Sequence, residues 1–168
     1  FFNVISILTG TGYVAGEFDG WGNFSLIFFL TLMFIGGCAG STTCGIKIFR
    51  IQILYLFIIN QLKKIIYPKG IFLMKYDGNT VDDKFMASII SFIFLYLVIF
   101  FLMTALLSLS GLDFVTSISG AATSISNVGP GLGSTIGPNG NFASLPEISK
   151  WILSIGMILG RLELFAIL

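Results

Sequence analysis

A chain of 168 residues with 55% hydrophobic and 10% charged residues lies far from the roughly 25% charged of an ordinary soluble domain, and its balance is that of a membrane protein. The net charge is +1 with no dense basic run, which argues against a nucleic-acid partner, since tracking a phosphate backbone needs a positive stripe. Histidine is absent, which removes Ser-His-Asp and Cys-His nucleophilic chemistry and His-based metal centres.

In chain order, Phe1 to Leu8 is an apolar stretch of about two helical turns, and it runs into TGTGY, residues 9–13. Glycine and threonine continue a helix poorly, so a break is expected there. Phe24 to Ile35 is apolar but too short to span alone; after GGCAGSTTCG, residues 36–45, the apolar character resumes as IKIFRIQILYLFIINQL. One spanning helix broken near its middle is expected. Phe85 to Leu109 is the longest uninterrupted apolar segment and exceeds the roughly 20 residues a bilayer requires. A second short helix is expected over Phe114 to Ile125, with Asp113 as its N-cap, followed by SNVGPG. A last apolar helix is expected from near Ile148 to Leu168.

Two short helices that end at mid-depth and return as extended chain are tolerated only inside protein or against water. Lys47, Arg50, Lys63, Lys64, Lys69, Lys75 and Lys84 all fall between the broken helix and the long one, so residues 61–84 are expected on the cytoplasmic side. Within them Asp77-Gly78, flanked by short β-prone runs, signals a hairpin. Glu17, Asp19 and Glu147 then lie outside, with Trp21 and Trp151 at the outer interface. Cys38 and Cys44 are too few for a four-ligand zinc site and are expected to pack closely as small residues. The first residues have neither an initiator Met nor a charged region before the apolar run, so a signal peptide is not expected. The chain is expected to be a segment of a longer membrane protein.

The beginning and end of the chain also show a weak internal repeat. SILTGTGY leads to GNF and IGG; TSISNVGP leads to GNF and ILG. The offset is 117 residues from Gly12 to Gly129, 118 at GNF and 123 from Gly37 to Gly160. The unit reads helix, short re-entrant helix, glycine-bearing strand, helix. Carbonyl oxygens of such a strand can replace the water shell of a cation, and the helix before it directs its negative end to the same place. Two units cannot close a ring around an ion, so the chain is expected to form about half of a pore.

These residues resemble the Trk/Ktr potassium transporters, relatives of the plant high-affinity potassium transporters, and specifically their translocating membrane subunit. The resemblance rests on VISILTGTGY, MFIGGCAGSTTCGIKIFR, YPKGIFLMKYDGNTV, SNVGPGLG and ILGRLELF in this order, and it covers the whole chain. It implies an all-α integral membrane fold of repeated membrane-pore-membrane units, potassium-channel-like. Residues 1–60 match the third unit without its first helix, 61–84 a cytoplasmic linker with a β-hairpin, and 85–168 the fourth unit up to the start of its second helix.

Carried over by position, Gly12 and Gly129 match the filter glycines, and Gly10, Thr11, Asn127 and Val128 match positions whose carbonyls line the ion path. Glycine in both units is the pattern of potassium selectivity; serine there accompanies sodium transport in some plant relatives. Gly10 departs from the family's usual threonine. The stretch containing Gly36, Gly37, Gly40, Ser41, Thr42, Thr43 and Gly45 matches an intramembrane loop that acts as a gate, and Arg161 matches an arginine facing the pore beside it. The resemblance further implies potassium as transported ion with no covalently bound cofactor, no enzymatic activity, a multi-pass place in the plasma (inner) membrane among lipid, a homodimer, and a cytoplasmic nucleotide-binding regulatory subunit.

Other readings exist for each motif. TGTGY alone is also a loop between membrane helices, and GGCAGSTTCG also suits close helix packing. Gly40 to Lys47 is a near miss to a phosphate-binding loop without the Gly-Lys-Ser/Thr order. Glu163, two residues from Arg161, faces another side of the helix and is expected to pair elsewhere. Lys63, Lys64 and Lys69 serve as membrane anchors or as contacts to a regulatory subunit. For the whole chain the alternatives are a sodium- or mixed-cation-conducting member of the same family, a tetrameric channel with one pore unit per chain, and a membrane-embedded enzyme.

Overall fold

The computed structural model describes residues 1–68, 70, 72, 74–76 and 78–162, with the backbone alone at Asp19, Asn79 and Asp83. Lys69, Asp77 and Glu163 lie outside the described residues. Among the described residues six α-helices form: α1 Phe2–Leu8, α2 Asn23–Phe34, α3 Ile48–Ile66, α4 Asp83–Leu109, α5 Phe114–Ser126 and α6 Glu147–Arg161. Short 3₁₀ turns at Asp19–Trp21 and Phe142–Ser144 shape the loops. Between α3 and α4, β1 Lys75–Tyr76 and β2 Asn79–Thr80 pair antiparallel, Lys75 opposite Thr80 and Tyr76 opposite Asn79.

The long apolar run forms α4, whose 27 residues rise roughly 40 Å. Among the described residues Lys84–Leu109 is the one helix long and apolar enough to cross a membrane. No proline or glycine interrupts it, and Gly111 at φ +91° lets the chain turn immediately after its end.

The centre of the packing is α5, which contacts α2, α4 and α6. Its sequence FVTSISGAATSIS is dominated by small residues, and every residue from Ser119 to Ser126 is buried. Small side chains allow neighbouring helix backbones to come close. Their hydroxyls are satisfied locally: Ser119 Oγ donates to the Val115 carbonyl (2.7 Å) and accepts from Leu132 N–H (3.0 Å). On the α6 side Gly160 is required, because a Cβ there would strike the Ile125 carbonyl oxygen. Ala121, Ala122, Leu132 and Ile136 of this half join Ile7, Phe29 and Met33 of the other in one core.

The hairpin docks on α3 through Tyr76 Oη, which donates to Gln52 Oε1 (3.0 Å). A second core of Ile53, Met86 and Ile89 joins α3 to α4. Lys47 and Arg50 depart from the expected positive belt: both are buried, whereas Lys63 and Lys64 at the end of α3 are exposed. The Arg50 guanidinium lies over the Phe92 ring, 3.9 Å from its centroid, an arrangement in which the ring quadrupole compensates lost hydration.

The start of α5 is capped as the sequence predicts: Asp113 Oδ2 accepts from Thr116 N–H (3.2 Å). Hydrogen bonding from Thr116 holds the Asp113 carboxyl below the usual carboxylate range. A carboxyl whose folded pKa is lowered adds stability above its unfolded pKa, and loses it as pH falls through the folded value. Asp113→Ala in the full-length protein should therefore cost about 0.5–1 kcal/mol at neutral pH. The difference from wild type should shrink at acid pH, while Asp113→Asn keeps the cap. Thermal unfolding in detergent at both pH values checks this; an equal loss at both would exclude the charged cap.

Candidate functional site

Each short helix delivers its chain into a strand whose N–H groups fold back onto that helix. After α1, Gly10 N–H donates to the Ile7 carbonyl (3.1 Å), and Thr11 and Gly12 N–H both donate to the Ser6 carbonyl (3.0 and 3.3 Å). After α5, Asn127 N–H donates to the Ser124 carbonyl (3.2 Å) and Val128 N–H to the Thr123 carbonyl (3.1 Å). Gly129 N–H donates to Thr123 Oγ1 (2.9 Å). The donors and their helix acceptors recur 117 residues apart, Ser6 answering to Thr123 and Gly12 to Gly129.

The dihedrals recur with them. Gly10 and Gly12 have φ of +68° and +73°, and Asn127 and Gly129 have +52° and +114°, with Thr11 and Val128 on the ordinary negative side. Alternating handedness gathers successive N–H groups on one concave side, here occupied by the helix acceptors, and leaves carbonyl oxygens for the other. Asn127 is the one non-glycine residue with positive φ among the described residues. Asparagine tolerates that conformation better than most residues, and its side-chain Nδ2 is anchored on the Met157 carbonyl of α6 (3.0 Å).

The two strands lie against each other. A Cβ on Gly12 would collide with the Val128 carbonyl oxygen and sit 3.2 Å from Pro130 Cδ. A Cβ on Gly10 would lie 4.0 Å from the Asn127 carbonyl oxygen, so the Asn127 and Val128 carbonyls face the first strand. Gly129 differs: a Cβ there would meet only Gly12 Cα, at 3.7 Å. Gly12 is needed for space and dihedral together, Gly129 for dihedral alone.

Residues 36–45 form a closed loop between α2 and α3. Its neck is stitched by Gly36 N–H to the Ile46 carbonyl and Ile46 N–H to the Phe34 carbonyl, both 2.9 Å. Inside it Ser41 Oγ donates to the Cys38 carbonyl (2.9 Å) and lies 3.2 Å from Thr43 Oγ1. The loop abuts the first strand, since a Cβ on Gly10 would be 3.4 Å from Thr43 Cγ2. Arg161, at the end of α6, reaches it with Nη1 on the Thr42 carbonyl (2.9 Å) and near Cys44 Sγ (3.8 Å). Lys47 Nζ donates to the Ala39 carbonyl (3.4 Å). Cys44 is buried as a small packing residue, but Cys38 is exposed, because Ala39 and Gly40 beside it form the open tip of the loop.

Strands, loop and Arg161 thus occupy one region. A cleft of about 460 Å³ is lined by Glu17, Gly133, Ser134 and Asn139. Asn139 Nδ2 donates to Glu17 Oε1 across it.

The family model described as "TrkH: Cation transport protein" matches residues 1–168. The chain belongs to this TrkH family. It is 45% identical over 167 residues to the Trk system potassium uptake protein TrkI of Halomonas elongata, covering 99% of this chain and 34% of that protein. With the Trk system potassium uptake protein TrkH of Escherichia coli K12 it shares 31% identity, over 100% of this chain and 34% of the other. The crystal structure of the potassium transporter TrkH from Vibrio parahaemolyticus superposes with a TM-score of 0.86 at 32% identity, over 96% of this chain and 34% of that one. The chain spans about a third of the length of these relatives.

Several residues of this TrkH-family site escape motif reading. Ser6 and Thr123 supply the acceptors for the strands. Asn3 secures the outgoing chain: its Nδ2 donates to the Gly16 carbonyl (3.2 Å) and its Oδ1 accepts from Ala15 N–H (3.0 Å). An amide inside FFNVISIL is itself a signal, because an unpartnered polar group in an apolar run is costly. The asymmetry between the glycines is directly testable. Gly129→Ala should cost about 1–3 kcal/mol of backbone strain, and Gly12→Ala should cost more because the collision adds to it. Thermal unfolding of the full-length protein in detergent reads the difference; equal losses would contradict the side-by-side strands.

Proposed function

We propose that this chain forms the third and fourth pore units of a potassium uptake protein of the plasma membrane, with residues 61–84 as the cytoplasmic connection between them. Gly10, Thr11, Gly12, Asn127, Val128 and Gly129 form half of a carbonyl-lined selectivity filter. The loop 36–45 is the gate beneath it, and Arg161 is the pore-facing charge that holds the gate. The transported ion is potassium, and no covalent chemistry takes place. The remaining two filter strands, a second protomer and a cytoplasmic nucleotide-binding regulatory subunit complete the working assembly.

The observation that carries this function is the recurrence of one strand conformation at Gly10–Gly12 and Asn127–Gly129, with N–H groups turned back and carbonyls left over. A bare cation entering such a place exchanges water oxygens for carbonyl oxygens. An anion would find its counterpart N–H groups already occupied. The ends of α1 and α5 supply partial negative charge at the same point. The relatives are named Trk system potassium uptake proteins, which supports potassium as the ion.

The Arg161 guanidinium on the Thr42 carbonyl supports the gate reading in two ways. It ties the loop to α6, and it leaves a positive charge on the path of a cation. Displacing the loop breaks this bond and moves the charge.

The test uses the full-length protein in a bacterium deficient in potassium uptake. Wild type should restore growth at low potassium, and Gly12→Ser and Gly129→Ser should lose preference for potassium over sodium, Gly12→Ser the more severely. Full rescue by both serine variants with unchanged preference sinks the filter assignment. Arg161→Ala should raise basal flux roughly tenfold, the factor expected from losing one charge-assisted hydrogen bond of about 1.5 kcal/mol. Unchanged flux would remove Arg161 from the gate.

A further inference from the structure

The long helix α4 carries one tyrosine in the run FIFLYLVIFF, and its placement links the two halves of the site. Tyr96 is 2% exposed, and its hydroxyl is 2.7 Å from Ser126 Oγ, itself buried. Ser126 is the last residue of α5 and directly precedes Asn127, the left-handed residue that starts the second strand. The Tyr96 ring meets the edge of Phe34 with centroids 6.1 Å apart at 76°. Phe34 is the last residue of α2, and its carbonyl closes the neck of the loop by accepting Ile46 N–H. Phe92, Tyr96 and Ile125 form one cluster with Phe34 and Ile46 packed against it. A single turn of α4 therefore touches Ser126, just before the strand, and Phe34 at the loop neck.

A tyrosine suits this place where a phenylalanine does not. Its ring supplies apolar contact, and its hydroxyl needs a partner once buried. Its rigid ring carries displacement without absorbing it, having only two side-chain torsions. Ser126 in turn has little freedom: the α5 backbone around it is buried, and Asn127 is held from the other side by α6. A shift of Phe34 that tilts the Tyr96 ring must either break the hydroxyl contact or move Ser126.

We propose that Tyr96 is a positioning residue that couples the neck of the 36–45 loop to the strand at Asn127–Gly129. Its hydroxyl sets the strand's starting geometry and its ring senses the loop through Phe34. The coupling rests on the filter-and-gate function proposed above. Opening the loop then alters the second strand, and ions bound at the strand bias the loop, since such coupling is reciprocal.

A tyrosine that merely fills the core would change stability without changing ion preference, and this separates the two roles. The full-length protein is reconstituted in liposomes, and potassium and sodium uptake are measured for wild type, Tyr96→Phe, Ser126→Ala and the double variant. Each single variant should lower the potassium-to-sodium uptake ratio by roughly three- to tenfold, the range one ordinary hydrogen bond supports. The double variant should be no worse than either alone, because the pair acts as a unit. Phe34→Leu, which removes the ring edge from Tyr96 but keeps an apolar neck, should shift the ratio in the same direction. Thermal unfolding of each variant shows that it is folded. A wild-type ratio in folded Tyr96→Phe overturns the proposal, as does a double variant equal to the product of the singles, and a wild-type ratio in Phe34→Leu overturns the coupling to the loop. If wild type itself shows no potassium preference, the filter function fails first and the coupling with it.

Discussion

A segment that leaves a helix and packs back against it must place its N–H groups on acceptors, and the acceptors at hand belong to the helix from which it has just emerged. Ser6 and Thr123 provide them. Once those hydrogen bonds form, the dihedrals of the following three residues are constrained to alternate in sign, and only glycine or asparagine can occupy the positive positions cheaply. The direction left to the carbonyls follows from the same bonds. The backbone geometry of the site is thus a consequence of where two short helices stop.

Stopping them there requires the surrounding packing. A seven-residue helix such as α1 has too few hydrogen bonds to persist by itself, and it depends on burial of Asn3, Ser6 and Ile7. The longer α5 is held by α2, α4 and α6 at once. Its small residues let α6 approach until Gly160 nearly touches the Ile125 carbonyl. That approach brings Met157 within reach of Asn127 and carries Arg161 to the loop. The loop, strands and α6 are therefore connected through short contacts, and a change in one has few ways to remain local.

Much of the helical layout is legible in the sequence, because long apolar runs and the glycines, threonines and asparagines that end them act locally. The run Phe85 to Leu109 reads as a helix and forms one over Asp83–Leu109; Asp113 reads as a cap and accepts the Thr116 N–H. Glycine-bearing stretches point to 9–13, 36–45 and 126–131 as places of unusual backbone. Charge and residue type leave burial open. Lys47 and Arg50 count in the sequence alongside the exposed Lys63 and Lys64, yet both are buried, with Ala39 and Phe92 beside them. Cys38 and Cys44 share a chemistry but lie at the tip and the base of one loop, so one is exposed and the other buried.

What the sequence by itself determines here is where the chain can be helical, where it must bend, and its membership of the TrkH family, since these depend on neighbouring residues or on ordered motifs. The tertiary structure alone decides which groups meet across 30 or more positions: Tyr96 with Ser126, Asn127 with Met157, Arg161 with Thr42 and Gly12 with the Val128 carbonyl. Such pairs depend on how closely helix backbones can approach, which is set by small residues on both partners together. No single stretch of sequence contains that distance.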